Sequence, residues 1–146
     1  NTDKIDTIVI AGMGGILISE ILEAGKEKLG HVKRLILQPN NHEESLRQWL
    51  VNHQFVIKKE EILLEAGKFY EIIVAEPLSK LMTEKLSVND LTFGPFLSKE
   101  KSTVFQQKWQ KELNTLNKII ARLPEEQAKK RQEVLNQIAR IEEVLR

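Results

Sequence analysis

The chain of 146 residues contains no cysteine, which excludes a disulfide framework, a cysteine-ligated metal and a thiol nucleophile and makes a cytoplasmic setting the expectation. Its three histidines, His31, His42 and His53, share no metal-ligand spacing, so no metal is assigned. No apolar run approaches the roughly 20 residues that a membrane helix requires. The opening residues Asn1-Thr2-Asp3-Lys4 lack the basic and apolar segments of a secretory signal. Neither a G-x-G-x-x-G dinucleotide fingerprint nor a G-K-[ST] phosphate loop occurs. What remains is an ordinary globular composition, 29% charged and 41% hydrophobic, sufficient for one domain or for a compact domain with an appendage.

Net charge is +1, but it is unevenly spread. Residues 1–77 carry 9 Lys and Arg against 12 Asp and Glu, whereas residues 78–146 carry 13 against 9, so the halves stand at −3 and +4. A basic C-terminal part fits a nucleic-acid-binding arm, and it equally fits a solvated helical surface.

The run Thr7-Ile8-Val9-Ile10 feeds directly into Ala11-Gly12-Met13-Gly14-Gly15, and an amphipathic pattern (Ile16, Leu17, Ile21, Leu22, Ala24) follows. This is a strand, a small-residue loop and a helix. Glycines in such a loop allow positive φ or close approach of backbone to a ligand, and the helix start aims free N–H groups outward. Ala11, Gly12, Met13, Gly14 and Gly15 are therefore candidate walls of a small-molecule site, although packing alone would also explain them. Arg34-Leu35-Ile36-Leu37 is a second buried strand that ends in Gln38-Pro39-Asn40-Asn41. A β-α-β unit with a right-handed crossover brings the loops at Gly12 and Asn40 to one edge of a parallel pair. Asn41 is the expected N-cap of the next helix, with Glu43 and Glu44 in its first turn and Leu46, Trp49 and Leu50 on its inner face. Phe55–Glu65 and Phe69–Glu76, joined by Ala66-Gly67-Lys68, form an antiparallel hairpin. Past Pro77 the chain turns irregular or short-helical and includes the tight turn Phe93-Gly94-Pro95-Phe96. From Ser98, Leu113, Leu116, Ile120 and Leu123 mark one long helix. Pro124 starts another, with Val134, Leu135, Ile138, Ile141 and Leu145 on its inner face. The expected architecture is α/β, with a sheet domain over 1–77, a helical domain over 78–146, and an antiparallel helical hairpin over about 98–146.

Five ordered blocks carry a resemblance. They are Ile10-Ala11-Gly12-Met13-Gly14-Gly15, Leu37-Gln38-Pro39-Asn40, Glu44-Ser45-Leu46-Arg47-Gln48-Trp49-Leu50, Gly67-Lys68-Phe69-Tyr70-Glu71-Ile72-Ile73 and Phe93-Gly94-Pro95-Phe96-Leu97. In order and spacing they resemble the bacterial tRNA (adenine-22-N1)-methyltransferase family across nearly the whole chain. The resemblance implies the C-terminal half of a Rossmann-like sheet closed by an antiparallel hairpin, then a coiled-coil-like helical domain. It also implies S-adenosylmethionine as cofactor, tRNA as partner, and methyl transfer to N1 of an adenine. The family's Gly-rich first strand-loop and its acidic residue after the second strand are not found here. The chain is accordingly expected to begin at the fourth strand, to be inactive alone, and to self-associate through the strand edge at Ile5 to Ile10.

On that resemblance Ala11 to Gly15 line the cofactor site, and Gln38, Asn40 and Asn41 are the candidate catalytic or positioning amides, able to pair with a flipped base edge. The Asn/Asp-Pro-Pro-aromatic motif of many amino-methyltransferases is missing, as expected where the target is a ring nitrogen. Lys108, Lys111, Lys118, Arg122, Lys129, Lys130 and Arg131 become candidate phosphate contacts near the hairpin and its tip. His42 is a possible proton acceptor, though a lone surface histidine is more often inert. The competing reading is a non-catalytic interaction module in which the helical hairpin is a protein-binding arm.

Overall fold

In the computed structural model the described residues are 6–79 and 85–146, and the expected open strand edge at Ile5 lies partly outside them. The elements are β1 (Thr7–Met13), α1 (Gly15–Ala24), β2 (Arg34–Pro39), α2 (Glu43–Asn52), β3 (Phe55–Glu65), β4 (Lys68–Pro77), α3 (Val88–Phe93), α4 (Leu97–Glu100), α5 (Thr103–Arg122) and α6 (Ala128–Leu145). The sheet has the order β1-β2-β4-β3. β1 and β2 run parallel, as their helical crossover requires, while β4 is antiparallel to both β2 and β3. The closing hairpin turns on Ala66 (φ 51°) and Gly67 (φ 77°), and two successive positive φ values match the twist of the flanking strands.

Helices α1 and α2 cover one face of the sheet. Ile18 and Leu22 of α1 and Leu46, Trp49 and Leu50 of α2 meet Leu35 and Leu37 of β2 and Ile73 and Ala75 of β4. The inner stripe of α1 is narrower than its sequence pattern suggests: Ile16, Leu17 and Ile21 are 47%, 49% and 40% exposed. Among the described strands β1 is an edge, so α1 has sheet beneath only part of its surface.

Four boundaries differ from expectation, the first being the long helix expected from Ser98, which begins at Thr103 after the short α4 and is capped by Ser102. Asn41 is not the N-cap of α2; His42 holds that position in a left-handed conformation (φ 49°) without a side-chain cap bond. The shift follows from the Asn41 carbonyl, which accepts the Gly15 N–H at 2.8 Å and pins that residue to the start of α1. The chain divides into compact units Asn1–Lys99 and Glu100–Arg146, not at Pro77. Residues 85–99 stay with the sheet because Leu91, Phe96 and Leu97 bond to side chains buried on it. Within the second unit, Phe105, Trp109, Leu113 and Leu116 form the buried stripe of α5, and Val134, Ile138 and Ile141 that of α6. α6 begins at Ala128 rather than Pro124, because residues 124–127 close a turn in which the Gln127 N–H donates to the Pro124 carbonyl at 3.1 Å. Leu135, one residue beyond Val134, is rotated off the seam and is 40% exposed.

Candidate active site

The two predicted loops meet at the carboxyl ends of β1 and β2, the edge where open α/β sheets bind ligands. Their approach explains the small residues. The register passes from Ala11 opposite Gln38 to Met13 opposite Pro39, so Gly12 is the extra residue of a bulge. Gly12 has φ 79°, and a Cβ built on it would have nothing within 4 Å. Gly14 and Gly15 differ in this respect. A Cβ on Gly14 would lie 2.6 Å from Asn41 Oδ1, and one on Gly15 would lie 2.2 Å from the His42 carbonyl oxygen. These two glycines let the loop at Asn41 and His42 pack against the start of α1, whereas Ala11, Gly12 and Met13 are exposed. The Asn40 N–H donates to the Met13 carbonyl at 2.8 Å and ties the loops together again.

Of the predicted amides, Gln38 and Asn40 come together and Asn41 turns toward Gly14. Gln38 Oε1 accepts the Gly12 N–H at 2.9 Å, while its Nε2 donates to the Pro39 carbonyl at 3.1 Å and to Asn40 Oδ1 at 3.2 Å. The resulting loop pair is polar, cross-linked and open on the Gly12 side, which fits a ligand that must approach backbone closely. A hollow of about 530 Å³ lies elsewhere, along the α1–α2 groove between Ile16, Ser19, Gln48 and Trp49.

Sequence reasoning missed a buried ionic centre behind these loops. Arg47 of α2 has no exposed side-chain surface; its Nε lies 2.8 Å from Glu60 Oε2 and its Nη2 2.5 Å from Glu71 Oε1. Its Nη1 donates to the Leu91 carbonyl at 3.0 Å. The other oxygen of Glu60 accepts the N–H groups of Phe96 and Leu97 at 2.9 and 3.2 Å. Burial works against the charged guanidinium, but Glu71 and Glu60 together outweigh it and hold Arg47 above its ordinary pKa. Gly94 (φ 93°) is obligatory here, since a Cβ on it would lie 2.6 Å from Glu60 Oε1. A signal was present: Arg47 sits among Leu46, Trp49 and Leu50 on the apolar face of α2, where an unpaired charge is not tolerated. Glu71 shares the alternation of Ile73 and Ala75 on β4, but Glu60 was hidden by a bulge between Ile57 and Lys59, which slips the alternation of β3 and turns Glu60 rather than Lys59 to the core.

The predicted basic residues all lie in the second unit, but not at one place. Lys118 and Arg122 end α5, and Lys129, Lys130 and Arg131 begin α6, so these five gather around the hairpin turn. Lys108 and Lys111 lie more than two helical turns back along α5 from Arg122. Lys108 covers the Trp109 ring, its Nζ 4.9 Å from the centroid. Arg131 donates to the Ile120 carbonyl at 3.4 Å, a contact that satisfies the end of α5. His42 marks the α2 start, and His53 stacks on Trp49 with ring centroids 4.0 Å apart.

Comparison with known proteins gives these loops a context. The tRNA (adenine(22)-N(1))-methyltransferase family, TrmK, matches residues 1–143, which takes in the sheet, both loops and the helical hairpin. The chain belongs to the TrmK family. It is 41% identical over 147 residues to the tRNA (adenine(22)-N(1))-methyltransferase of Bacillus subtilis (strain 168), covering 96% of this chain and 62% of that protein. The crystal structure of Streptococcus pneumoniae Sp1610 in complex with S-adenosyl-L-methionine is 52% identical, with a TM-score of 0.89 over 99% of this chain and 62% of that one. M. capricolum TrmK in complex with S-adenosyl-homocysteine is 26% identical, with a TM-score of 0.82 over 100% of this chain and 64% of that one. The chain thus spans a little under two thirds of the length of these TrmK relatives. Its α/β unit is Rossmann-like, and β4, antiparallel between β2 and β3, is the closing hairpin strand expected from the resemblance. Among the described residues no helix is long and apolar enough to cross a membrane.

Proposed function

We propose that this chain supplies the methyl-transfer loops and the RNA-binding arm of an S-adenosylmethionine-dependent enzyme that methylates N1 of adenine 22 in tRNA. The observation that carries the reading is the family match across 1–143, because it includes the glycine loop, the Gln38-Pro39-Asn40 loop and the helical arm together. A tRNA substrate accords with a cytoplasmic setting.

S-adenosylmethionine, when bound, offers a methyl group on a sulfonium centre. The chain's own residues have three tasks. Ala11, Gly12 and Met13 form an exposed wall in which the bare Gly12 leaves room for a ligand against the backbone. Gly14 and Gly15 let α1 and the Asn41 loop close on each other, which fixes that wall. Gln38 and Asn40, with Asn41 behind them, orient the target base so that its N1 lone pair faces the methyl group. As the N–C bond forms, the S–C bond breaks; the positive charge passes to the base and the cofactor leaves as a neutral thioether. N1 of adenine is a weak nucleophile, so desolvation and alignment account for most of the protein's contribution. Lys118, Arg122, Lys129 and Lys130 are exposed around the hairpin turn and are assigned to phosphates, with Lys108, Lys111 and Arg131 as flanking contacts.

The exposed apolar surface of β1 and α1, with Val9 at 64% and Leu17 at 49%, supports self-association of the isolated chain, which light scattering reads directly. For the activity itself, a full-length protein carrying this sequence is incubated with an unmodified tRNA transcript and S-adenosylmethionine, and nucleosides are identified by mass spectrometry. N1-methyladenosine is expected, and its loss when adenine 22 is replaced by guanine. Methylation at another base, or none, refutes the reading.

A further inference from the structure

The hydrogen bonds between the two loops have a direction. Gly12 is the extra residue of the β1 bulge, so its N–H lacks a ladder partner and is taken by the Gln38 side-chain oxygen at 2.9 Å. A backbone N–H can only donate, which identifies that end of the Gln38 amide as the oxygen. At the other end Nε2 lies 3.1 Å from the Pro39 carbonyl, which can only accept, so two unambiguous backbone groups agree on the orientation. Nε2 is also 3.2 Å from Asn40 Oδ1. Were Asn40 reversed, two amide nitrogens would face each other with no acceptor between them. Its oxygen is therefore held toward Gln38, and its Nδ2, with two N–H groups, is the end that remains for a ligand. The Asn40 backbone is fixed as well, through its N–H to the Met13 carbonyl at 2.8 Å, while the residue as a whole stays exposed.

Resting on the methyl-transfer reading of these loops, we propose that Gln38 is a positioning residue that presents Asn40 as a hydrogen-bond donor to a ring nitrogen of the target adenine other than N1. A donor placed on N1 would occupy the lone pair that must attack the methyl group. The remaining ring acceptors open to an approaching side chain are N3 and N7. Asn40 grips one of them and leaves N1 bare, so the chain runs from the bulged β1 backbone through Gln38 and Asn40 to the base. A wall that is fixed at Gly12 thereby fixes the base as well.

The test is steady-state methylation by the full-length protein carrying this sequence, with Asn40→Ala, Asn40→Asp, Gln38→Glu and the Gln38→Glu/Asn40→Ala pair. Transcripts carry adenine, 7-deazaadenine or 3-deazaadenine at the target position. Asn40→Ala and the near-isosteric acceptor Asn40→Asp should each lower kcat/KM by about tenfold, the worth of one hydrogen bond. Gln38→Glu keeps an oxygen for the Gly12 N–H but removes the donor that orders Asn40, and the pair should be no worse than Asn40→Ala alone. One deaza substrate should lose a similar factor with the wild-type protein and nothing further with Asn40→Ala. Three results each overturn the proposal while leaving the methyl-transfer reading intact: Asn40→Asp at the wild-type rate or full activity on both deaza substrates removes the donor role, and multiplicative losses in the pair remove the positioning role of Gln38. A wild-type protein that transfers no methyl group to any transcript overturns both.

Discussion

Replacing Arg47 with Met removes the cation from the buried centre and leaves Glu60 and Glu71 facing apolar surroundings. Arg47 and Glu60 have no exposed side-chain surface, and Glu71 has 1%. Breaking a buried pair by removing one partner costs about 3–5 kcal/mol, and here a single change leaves two carboxylates behind, so the upper end of that range is expected. The Leu91 carbonyl is deprived of its donor at the same time. The assay is urea unfolding at neutral pH followed by Trp49 fluorescence, in a Trp109→Phe background so that the sheet unit alone reports. The pH dependence has a definite sign. A carboxylate buried without a cation has its folded pKa above its unfolded one, and such a group costs stability at neutral pH. That cost fades as pH falls and both states become protonated. The deficit of Arg47→Met relative to wild type should therefore shrink toward acid. Converting all three residues, Arg47→Met with Glu60→Leu and Glu71→Leu, removes the uncompensated charges and should recover most of the deficit. It should not recover all of it, because the Phe96 and Leu97 N–H groups then lack an acceptor, at about 1–3 kcal/mol each. A cost for Arg47→Met below about 1 kcal/mol, or a triple variant no more stable than the single one, refutes the account of this centre as a buried, charge-balanced clamp.

Gly15→Ala should destabilise the sheet unit by about 1–3 kcal/mol, since its Cβ would lie 2.2 Å from the His42 carbonyl and backbone must move; an unchanged urea midpoint would show that the loops are not packed as described. Replacing Lys118, Arg122, Lys129 and Lys130 with Glu should weaken tRNA binding and flatten the slope of log K against log salt by about one for each phosphate no longer neutralised, and parallel slopes would make these residues plain surface. Glu23 accepts hydrogen bonds from Lys26, the larger influence, and from Trp49 Nε1, which hold its carboxyl below the usual range. Its folded value being depressed, its contribution is present above the unfolded pKa and is lost as pH falls through the folded one, so Glu23→Gln should make the urea midpoint less sensitive to acid, and an identical pH profile would count against the pairing.

Much of the molecule was legible without coordinates, because local periodicity carries it. Alternation in Leu35 and Leu37 and in Ile73 and Ala75, the three-and-four spacing of Leu113, Leu116, Val134, Ile138 and Ile141, and the short turn at Ala66-Gly67 specify strands, helices and an antiparallel hairpin whatever surrounds them. The meeting of the Gly12 and Asn40 loops followed too, since a right-handed β-α-β crossover leaves both at one edge. The remainder depends on which groups come face to face. The bulge after Ile57 reverses the facing of β3 and brings Glu60 onto Arg47 and the Phe96 N–H, so residues 85–99 are bound to the sheet unit. The bulge at Gly12 frees one N–H, and that N–H orients Gln38 and, through it, Asn40. Gly14 and Gly15 read as ligand walls in sequence, yet their missing side chains are accounted for by Asn41 and His42, from a loop more than twenty residues away. Periodicity reports how each segment faces a core, but a one-residue slip or a close approach between distant loops is an exchange of partners, and only the folded chain decides it.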